Sequence, residues 1–153
     1  MDIRERLIAE LDEARAQLYG LVKDFDPGLE VYAGWTLKEL LAHLTGWDDL
    51  VIAALEAFMG GEPMPMSAIR GVDPYNASTV SERSNLPLAH IRDEFQATRE
   101  LLKATIRRVP AERFDELADL PWGERASITS MIRIFSHHER EHYEEIMDHL
   151  GEA

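Results

Sequence analysis

The sequence predicts an all-α protein, a four-helix bundle, and three observations carry that prediction. Four segments repeat apolar residues every three and four positions, none alternates as a half-buried β-strand does, and capping or breaking residues stand at the segment ends. A chain of 153 residues, 45% of them hydrophobic, has the size of one domain with a single core. We therefore expect residues 1–153 to form one helical domain.

Each predicted helix has its own boundary signals. The second helix has the clearest start, because Thr36 and Glu39 have the spacing of a capping box. Proline cannot continue a helix and glycine commonly follows one, so Pro110 and Gly151 are predicted ends. The predicted boundaries are, in order, Asp2 to Asp26, Thr36 to Gly60, Pro87 to Pro110 and Ser127 to Gly151.

The lengths of the connections predict the topology. The short link between the first two helices favours antiparallel neighbours, whereas residues 61–86 form a long, proline-containing connector. The second helix is about 36 Å long at ~1.5 Å per residue, and an extended connector of that size could return along it. We therefore predict an up-down-down-up bundle. Apolar residues in the connector favour a packed lid over a floppy surface loop: Met64, Met66, Ile69, Val72 and Tyr75.

Composition excludes several classes of protein. Without cysteine, the chain offers no disulfide, no thiolate metal ligand and no cysteine nucleophile. A formal net charge of −13 repels nucleic-acid phosphates and anionic membranes, so neither is an expected partner. No signal peptide or stretch of ~20 apolar residues is present, which predicts a cytoplasmic protein.

Two histidines on the apolar stripe of the fourth helix are the first candidate metal ligands. His138 and His142 stand one turn apart, with Cβ atoms about 5–6 Å from one another. Both imidazoles could therefore reach one ion at the ~2.1 Å of a zinc–nitrogen bond. His137 and His90 fall outside their helix stripes and His149 stands in the fraying last turn, so these three are predicted to be solvated.

A third ligand has to come from another helix, and His43 on the second helix is the candidate. It lies beside Trp47 on a wide apolar arc. A single histidine on such a face can also be a neutral core residue that bonds through one nitrogen. Asp48 lies in the same arc, where a carboxylate is expected to bond to a ligand histidine or to coordinate the ion itself.

The run His138-Glu139-Arg-Glu-His142 also has the pattern of zinc metalloproteases, in which the glutamate is the general base. Those enzymes take a third ligand well downstream and frame the helix with strands. Only 11 residues follow His142 and no strands are predicted, which argues against protease activity. Glu139 remains a candidate for orienting a metal-bound water.

Three segments together resemble a known family. Gly34-Trp-Thr-Leu-Lys-Glu-Leu-Leu-Ala-His43-Leu-Thr-Gly-Trp47-Asp48 resembles the second-helix signature of the DinB-like metalloprotein superfamily, and His138-x-x-x-His142 resembles its fourth-helix pair. The connector's Asp73-Pro-Tyr-Asn76, followed by Val80-Ser-Glu-Arg83, is similar to the corresponding segment of several members. The resemblance implies a homodimer in which each bundle binds zinc or nickel through His43, His138 and His142.

The resemblance also implies a small-molecule substrate, but it leaves the reaction open. Characterised relatives include transferases and an isomerase that depend on mycothiol or bacillithiol, with the metal activating the low-molecular-weight thiol. A neighbouring branch protects producer cells by hydrolysing a cyclopropane-bearing genotoxin. Thiol-dependent S-transfer is the first hypothesis and metal-dependent hydrolysis the second. In the first, Asp48 or Glu139 would manage the proton, and in the second, water takes the position of the thiol. Trp47 and Asn76 are the candidates for contact with the cofactor or substrate.

A third hypothesis is a non-catalytic protein that sequesters a small molecule. Residues 61–86 would then roof the pocket, and the apolar walls would be Met64, Met66, Trp47 and Trp122. Ordinary core and loop packing is the alternative explanation for each of these four side chains.

Overall fold

The computed structural model describes residues 1–68 and 72–151. In that part of the chain, no helix combines the length and the apolar character needed to cross a membrane. The helices and strands, in chain order, are α1 (Ile3–Val22), α2 (Leu37–Met59), α3 (Val72–Glu82), α4 (Leu88–Arg108), β1 (Leu117–Asp119), β2 (Arg125–Ser127) and α5 (Ile128–Gly151), with a short 3-10 turn at Ala111–Arg113 between α4 and β1.

Helices α1, α2, α4 and α5 form the predicted four-helix bundle. Ion pairs between them fix their relative directions, because residue numbers rise together in parallel helices and oppose each other in antiparallel ones. Helix α4 runs parallel to α2 and antiparallel to α1, and α5 runs parallel to α1. The up-down-down-up topology is therefore confirmed. The pairs are Asp48–Arg99 and Glu56–Arg108, Glu5–Arg107 and Asp12–Lys103, and Glu10–Arg133 and Arg15–Glu139.

The helix ends follow the sequence signals closely, with one difference. Helix α2 begins after Thr36, whose backbone N–H donates to the Glu39 carboxylate at 3.1 Å in the predicted capping box. Helix α1 ends at Val22, although the apolar pattern continues to Phe25. Phe25 still packs against the core from the turn that follows, so its apolar character reflects burial beyond the helix end.

The connector contains helix α3, which the sequence did not predict. An apolar stripe is the main sequence signal of a helix, and the segment from Asp73 to Glu82 lacks one. Helix α3 packs on α2, where the Tyr75 hydroxyl donates to the Gly46 carbonyl at 2.6 Å. Met64 is buried and Met66 is at the surface, while Ile69 and the side chain of Val72 lie outside the described residues.

Gly46 allows α3 to approach α2 closely. A Cβ atom built at this position would lie 2.5 Å from the Cβ of Thr79, which is itself buried. We expect Gly46→Ala to lower the free energy of unfolding by about 1–3 kcal/mol in urea titrations, because α3 must move or strain. Gly20→Ala is the matched control. No atom lies within 4 Å of that Cβ, so it should stabilise α1 by up to about 1 kcal/mol.

Strands β1 and β2 form an antiparallel hairpin directly before α5. Each strand has only three residues, too few to show an alternating pattern, so the strands could not be predicted from the sequence. Gly123 adopts a φ of 94° in the connecting turn, a conformation that favours glycine. The turn places Trp122 against Trp47 and Phe135, on the side of the bundle that carries the histidines.

Candidate metal centre

The three predicted metal ligands converge inside the bundle. His43 comes from α2, and His138 and His142 come from consecutive turns of α5. The Nε2 atom of His142 lies 3.1 Å from that of His43 and 2.9 Å from that of His138. His43 and His142 are buried, and His138 is partly buried. The structure therefore brings together side chains that are 95 residues apart in the sequence, at one point between two helices.

The chemistry of this donor set fits a divalent transition metal. A neutral imidazole has one N–H and one lone pair, so His142 can donate to only one of its two neighbours through Nε2. A cation among the three Nε2 atoms would accept a lone pair from each. Two nitrogens that are each ~2.1 Å from a tetrahedral ion lie about 3.4 Å apart, close to the observed separations. The three-histidine group thus suggests a divalent metal.

Burial keeps the three imidazoles neutral. Burial, the largest cause, and the neighbouring histidines together lower the pKa of His43 to about 3 and that of His142 to about 4. Burial also lowers the pKa of His138, against the opposing charge of Glu139. Neutral rings have lone pairs available at pH 7, as metal ligands must.

Tyr32 orients one of the three rings. Its hydroxyl lies 2.6 Å from Nδ1 of His142. Burial and the nearby Glu145 carboxylate both raise the pKa of Tyr32, so the phenol keeps its proton. When the Tyr32 hydroxyl donates a hydrogen bond to the Glu145 carboxylate, its oxygen can accept a hydrogen bond from the Nδ1–H of His142. The Nε2 lone pair of His142 then faces the other two histidines.

A tight turn in the α1–α2 connection positions Tyr32. The Trp35 backbone N–H donates to the Tyr32 carbonyl at 2.9 Å, and Gly34 has a φ of 80° within that turn. Trp35 follows on the same turn and its ring lies 5.1 Å from that of His43, centroid to centroid. Tyr32 was not predicted as a site residue, because a loop residue has no periodicity that would reveal the direction of its side chain.

We expect Tyr32→Phe to weaken metal affinity about 10–100-fold, because the ring of His142 loses its orienting partner. Competition with a chromophoric chelator would measure the affinity. Tyr143→Phe is the matched control on α5, since Tyr143 is only partly buried and packs against the apolar core instead of forming a hydrogen bond to one of the three rings. Equal affinity of Tyr32→Phe and the unchanged protein would contradict the assigned role.

The histidines line a cavity of about 450 Å³. Helix α3 supplies one wall, and the α1–α2 turn supplies another. His43 Nδ1 is the one buried side-chain polar atom without a hydrogen-bond partner in residues 1–68 and 72–151. The lining residues are Tyr32, Ala33, Trp35, His43, Asp73, Asn76, Ala77, Val80, His138 and His142.

Of the residues predicted to contact a cofactor or substrate, Asn76 lines this cavity and Trp47 stands behind it. The Trp47 indole N–H donates to Asn76 Oδ1 at 2.5 Å and so fixes the amide at the cavity wall. Trp47 itself faces a neighbouring cavity, together with Trp122. Met64 and Met66 line a different cavity, beside Phe58, so the pocket walls of the sequestration hypothesis do not form one site.

Asp48 and Glu139, the predicted catalytic carboxylates, belong to a buried ion-pair network. Arg15 and Arg99 contact both of them, so α1, α2, α4 and α5 each contribute one residue. The Glu139 carboxylate accepts from Arg15 at 2.7 Å and from Arg99 at 2.5 Å. Asp48 accepts from the same two arginines, at 3.3 and 3.0 Å. We call Arg15, Asp48, Arg99 and Glu139 the charged quartet.

The charged quartet has no net charge, because two carboxylates pair with two guanidinium groups. Burial alone would raise the pKa of Glu139, but Arg15 and Arg99 hold it below its ordinary value. Arg99 likewise keeps its proton, because the charges of Asp48 and Glu139 outweigh the effect of its burial and raise its pKa. Within the described residues, the hydrogen bonds of both carboxylates go to arginines and none goes to a histidine. Among the described residues, neither carboxylate therefore forms the hydrogen bond to a candidate metal ligand that would support its predicted catalytic role.

The other three histidines lie at the surface, as predicted. His90, His137 and His149 are exposed, and Nε2 of His137 lies 2.9 Å from a carboxylate oxygen of the exposed Glu141. His137 and His138 are adjacent in the sequence but point to opposite environments, so His137 offers a control for substitutions of its neighbour.

Comparisons with known proteins identify the family and the fold. The sequence profile described as the DinB superfamily matches residues 10–146. No curated protein matches the chain in sequence. The mycothiol-dependent maleylpyruvate isomerase has a similar structure, with a TM-score of 0.78 and 14% identity over 94% of this chain. This chain spans 60% of the length of that isomerase.

A second solved structure is similar over nearly its whole length. YfiT from Bacillus subtilis, described as a probable metal-dependent hydrolase with an unusual four-helix bundle topology, has a TM-score of 0.69 and 19% identity. The match covers 97% of this chain and 87% of YfiT. At these identities both structures establish the shared fold and leave the reaction open.

Proposed function

Because the chain belongs to the DinB superfamily, we propose that it is a metal-dependent enzyme that acts on a small molecule in the histidine cavity. His43, His138 and His142 would hold one divalent ion, zinc or nickel. The observation that carries the proposal is the convergence of three neutral imidazole nitrogens at the wall of an open cavity of about 450 Å³. When bound, such an ion lowers the pKa of a coordinated water or thiol, so that a nucleophile is available near neutral pH.

Thiol-dependent S-transfer is the reaction we propose first. The chain has no cysteine, so the thiol has to come from a separate low-molecular-weight molecule. The similarity in fold to a mycothiol-dependent enzyme supports this choice. In this chain, Tyr32 would hold His142 in its binding orientation. Asn76, fixed by Trp47, would present polar atoms to the thiol or to its electrophilic partner.

Metal-dependent hydrolysis is the second candidate. The nearly full-length match to YfiT supports it, because that protein is described as a probable metal-dependent hydrolase. The same cavity and the same three histidines would serve, with water in place of the thiol. The two reactions therefore differ in their co-substrate and not in the residues that hold the ion.

Forming either nucleophile from a thiol or a water releases a proton, and three carboxylates are candidates to accept it. Asp48 and Glu139 are the ones that the sequence predicts, and both accept hydrogen bonds from Arg15 and Arg99 in the charged quartet. Asp73 lines the histidine cavity itself. Asp73→Asn and Asp48→Asn should therefore be compared for loss of kcat. The larger loss identifies the carboxylate closer to the reacting atoms.

Turnover by the metal-loaded protein, purified without a histidine tag, tests the proposal. S-transfer predicts conjugation of monochlorobimane that requires both the metal and one bacterial thiol, with mycothiol, bacillithiol and glutathione compared. Hydrolysis predicts turnover of ester and amide substrates with no thiol present. His138→Ala should abolish either activity, and His90→Ala, at an exposed position on α4, should preserve it. Saturable binding of substrates without turnover would favour the sequestration hypothesis and overturn the enzymatic one.

The remaining predictions from the sequence concern the oligomeric state, the cellular location and the partners of the protein. A homodimer is predicted from the family resemblance, and size-exclusion chromatography with light scattering would measure the mass in solution. A cytoplasmic location and the absence of nucleic-acid partners stay predictions that rest on composition and charge.

A further inference from the structure

A second cavity of about 260 Å³ adjoins the histidine cavity. His138 lines both cavities, so a molecule bound across them would have one end beside the candidate metal ligands. The hairpin turn of β1 and β2 forms the far wall of the second cavity, through Trp122. Apart from His138 and Trp47, its lining residues have no role in the function proposed above.

Three aromatic rings form the wall of this cavity, which we call the tryptophan pocket. The ring centroids of Trp47, Trp122 and Phe135 lie 5.8–6.2 Å from one another, with mutual tilts of 46–64°. Hydrogen bonds hold two of the rings in place. Trp47 donates to Asn76, and the Trp122 indole N–H donates to Glu124 at 2.9 Å. The wall is therefore preorganised, which lowers the entropic cost of binding an apolar group.

Apart from the divalent ion that His138 would help to hold, the charged side chains around the tryptophan pocket are negative. Glu124 and Glu141 stand at its rim, and Asp73 lines the adjoining histidine cavity. Among the described residues that line the two cavities there is no lysine or arginine to pair with an anion. The formal net charge of −13 adds to the same potential. An anionic group in the tryptophan pocket would be repelled, whereas a cationic group would meet carboxylates and aromatic faces.

We propose that the tryptophan pocket binds an apolar ammonium group, which is the part of the substrate that sets specificity. This inference rests on the proposed function, because it places the reactive end of the same molecule beside His138. An ammonium carried on an aromatic or alkyl group would bury its apolar surface against Trp122 and Phe135. Its positive charge would lie near the ring faces and close to Glu124 and Glu141.

Binding of three probes of similar shape tests the proposal. Phenyltrimethylammonium, its neutral isostere tert-butylbenzene and the anion benzenesulfonate would be titrated calorimetrically into the metal-loaded protein. We expect the ammonium to bind about 3–30-fold more tightly than the isostere, the range of one desolvated cation–π contact. The anion should bind more weakly than both.

Substitutions then locate the binding. Trp122→Ala should weaken phenyltrimethylammonium at least about 10-fold, since it removes one aromatic wall. Glu124→Gln should reduce the preference for the ammonium over the isostere. Glu112→Gln is the matched control, because it removes an equal charge from an exposed position on the 3-10 turn. If Trp122→Ala does not fold by circular dichroism, Glu124→Gln against Glu112→Gln still decides the question.

The result that overturns the inference is an isostere that binds as tightly as the ammonium, or an ammonium affinity that Glu124→Gln and Glu112→Gln change equally. Absence of binding by all three probes would overturn it as well. Metal content measured on the same samples separates this failure from failure of the proposed function. Protein that holds metal without ammonium preference refutes only the pocket, and protein that prefers the ammonium without holding metal refutes only the metal centre.

Discussion

Glu139→Ala is expected to lower the free energy of unfolding by about 3–5 kcal/mol, because it leaves Arg15 and Arg99 buried with a single carboxylate between them. The side chains of Glu139 and Arg99 are only 3% and 4% exposed, so water cannot replace the lost partner. The remaining carboxylate, Asp48, already accepts from both arginines. Urea titration of the metal-free protein, monitored by far-ultraviolet circular dichroism, would measure the change.

Glu56→Ala is the matched control for this prediction. It removes the same side chain from a bundle helix, but its ion pair with Arg108 has both side chains more than half exposed. Such a pair contributes less than about 1 kcal/mol. Equal losses of stability for Glu139→Ala and Glu56→Ala would show that the charged quartet does not stabilise the bundle in the way its burial and geometry indicate.

His138→Ala is expected to abolish tight metal binding, because an ion would keep only two of its three nitrogen ligands. Protein dialysed after loading should fall from about one equivalent of zinc or nickel per chain to a trace, as measured by elemental analysis. The substitution removes a partly buried ring at a cavity wall and should leave the helical circular dichroism spectrum unchanged.

The adjacent His137→Ala variant is the control for metal loss. His137 is exposed and lies on another face of α5, so its removal should leave the metal content at one equivalent. Retention of metal by His138→Ala, or equal loss of metal in both variants, would contradict the assignment of His138 as a ligand of the ion.

The bundle could be predicted from sequence because its signals are local. Apolar periodicity located α1, α2, α4 and α5, and the capping residues set the start and end of α2. The length of the connector correctly predicted that α4 runs parallel to α2. Helix α3 and the β1–β2 hairpin could not be predicted, because α3 has no apolar stripe and the strands are three residues long. Packing against the bundle, and not local pattern, holds them in place.

The site was predictable to a similar degree. His138 and His142 share a stripe at helical spacing, and His43 borders the apolar arc of α2, so one ligand set followed from the sequence. The contact between Tyr32 and His142 could not be predicted, because it joins a loop to a helix 110 residues later.

The charged quartet did leave a signal in the sequence. Each of its members stands four residues after a buried apolar residue, and therefore on the core side of its helix. The pairs are Leu11 and Arg15, Leu44 and Asp48, Phe95 and Arg99, and Phe135 and Glu139. Periodicity places four charges in the core, but only the packing of four helices shows which carboxylate meets which arginine.

X-ray absorption spectroscopy of protein loaded with one equivalent of zinc or nickel would test whether three imidazoles hold a single ion. We predict a coordination shell with three histidine nitrogens at about 2.1 Å, and a shell with fewer histidines in His138→Ala. An oxygen-only shell, or a histidine count that His43→Ala, His138→Ala and His142→Ala all leave unchanged, would contradict the metal centre and the enzymatic function proposed for it.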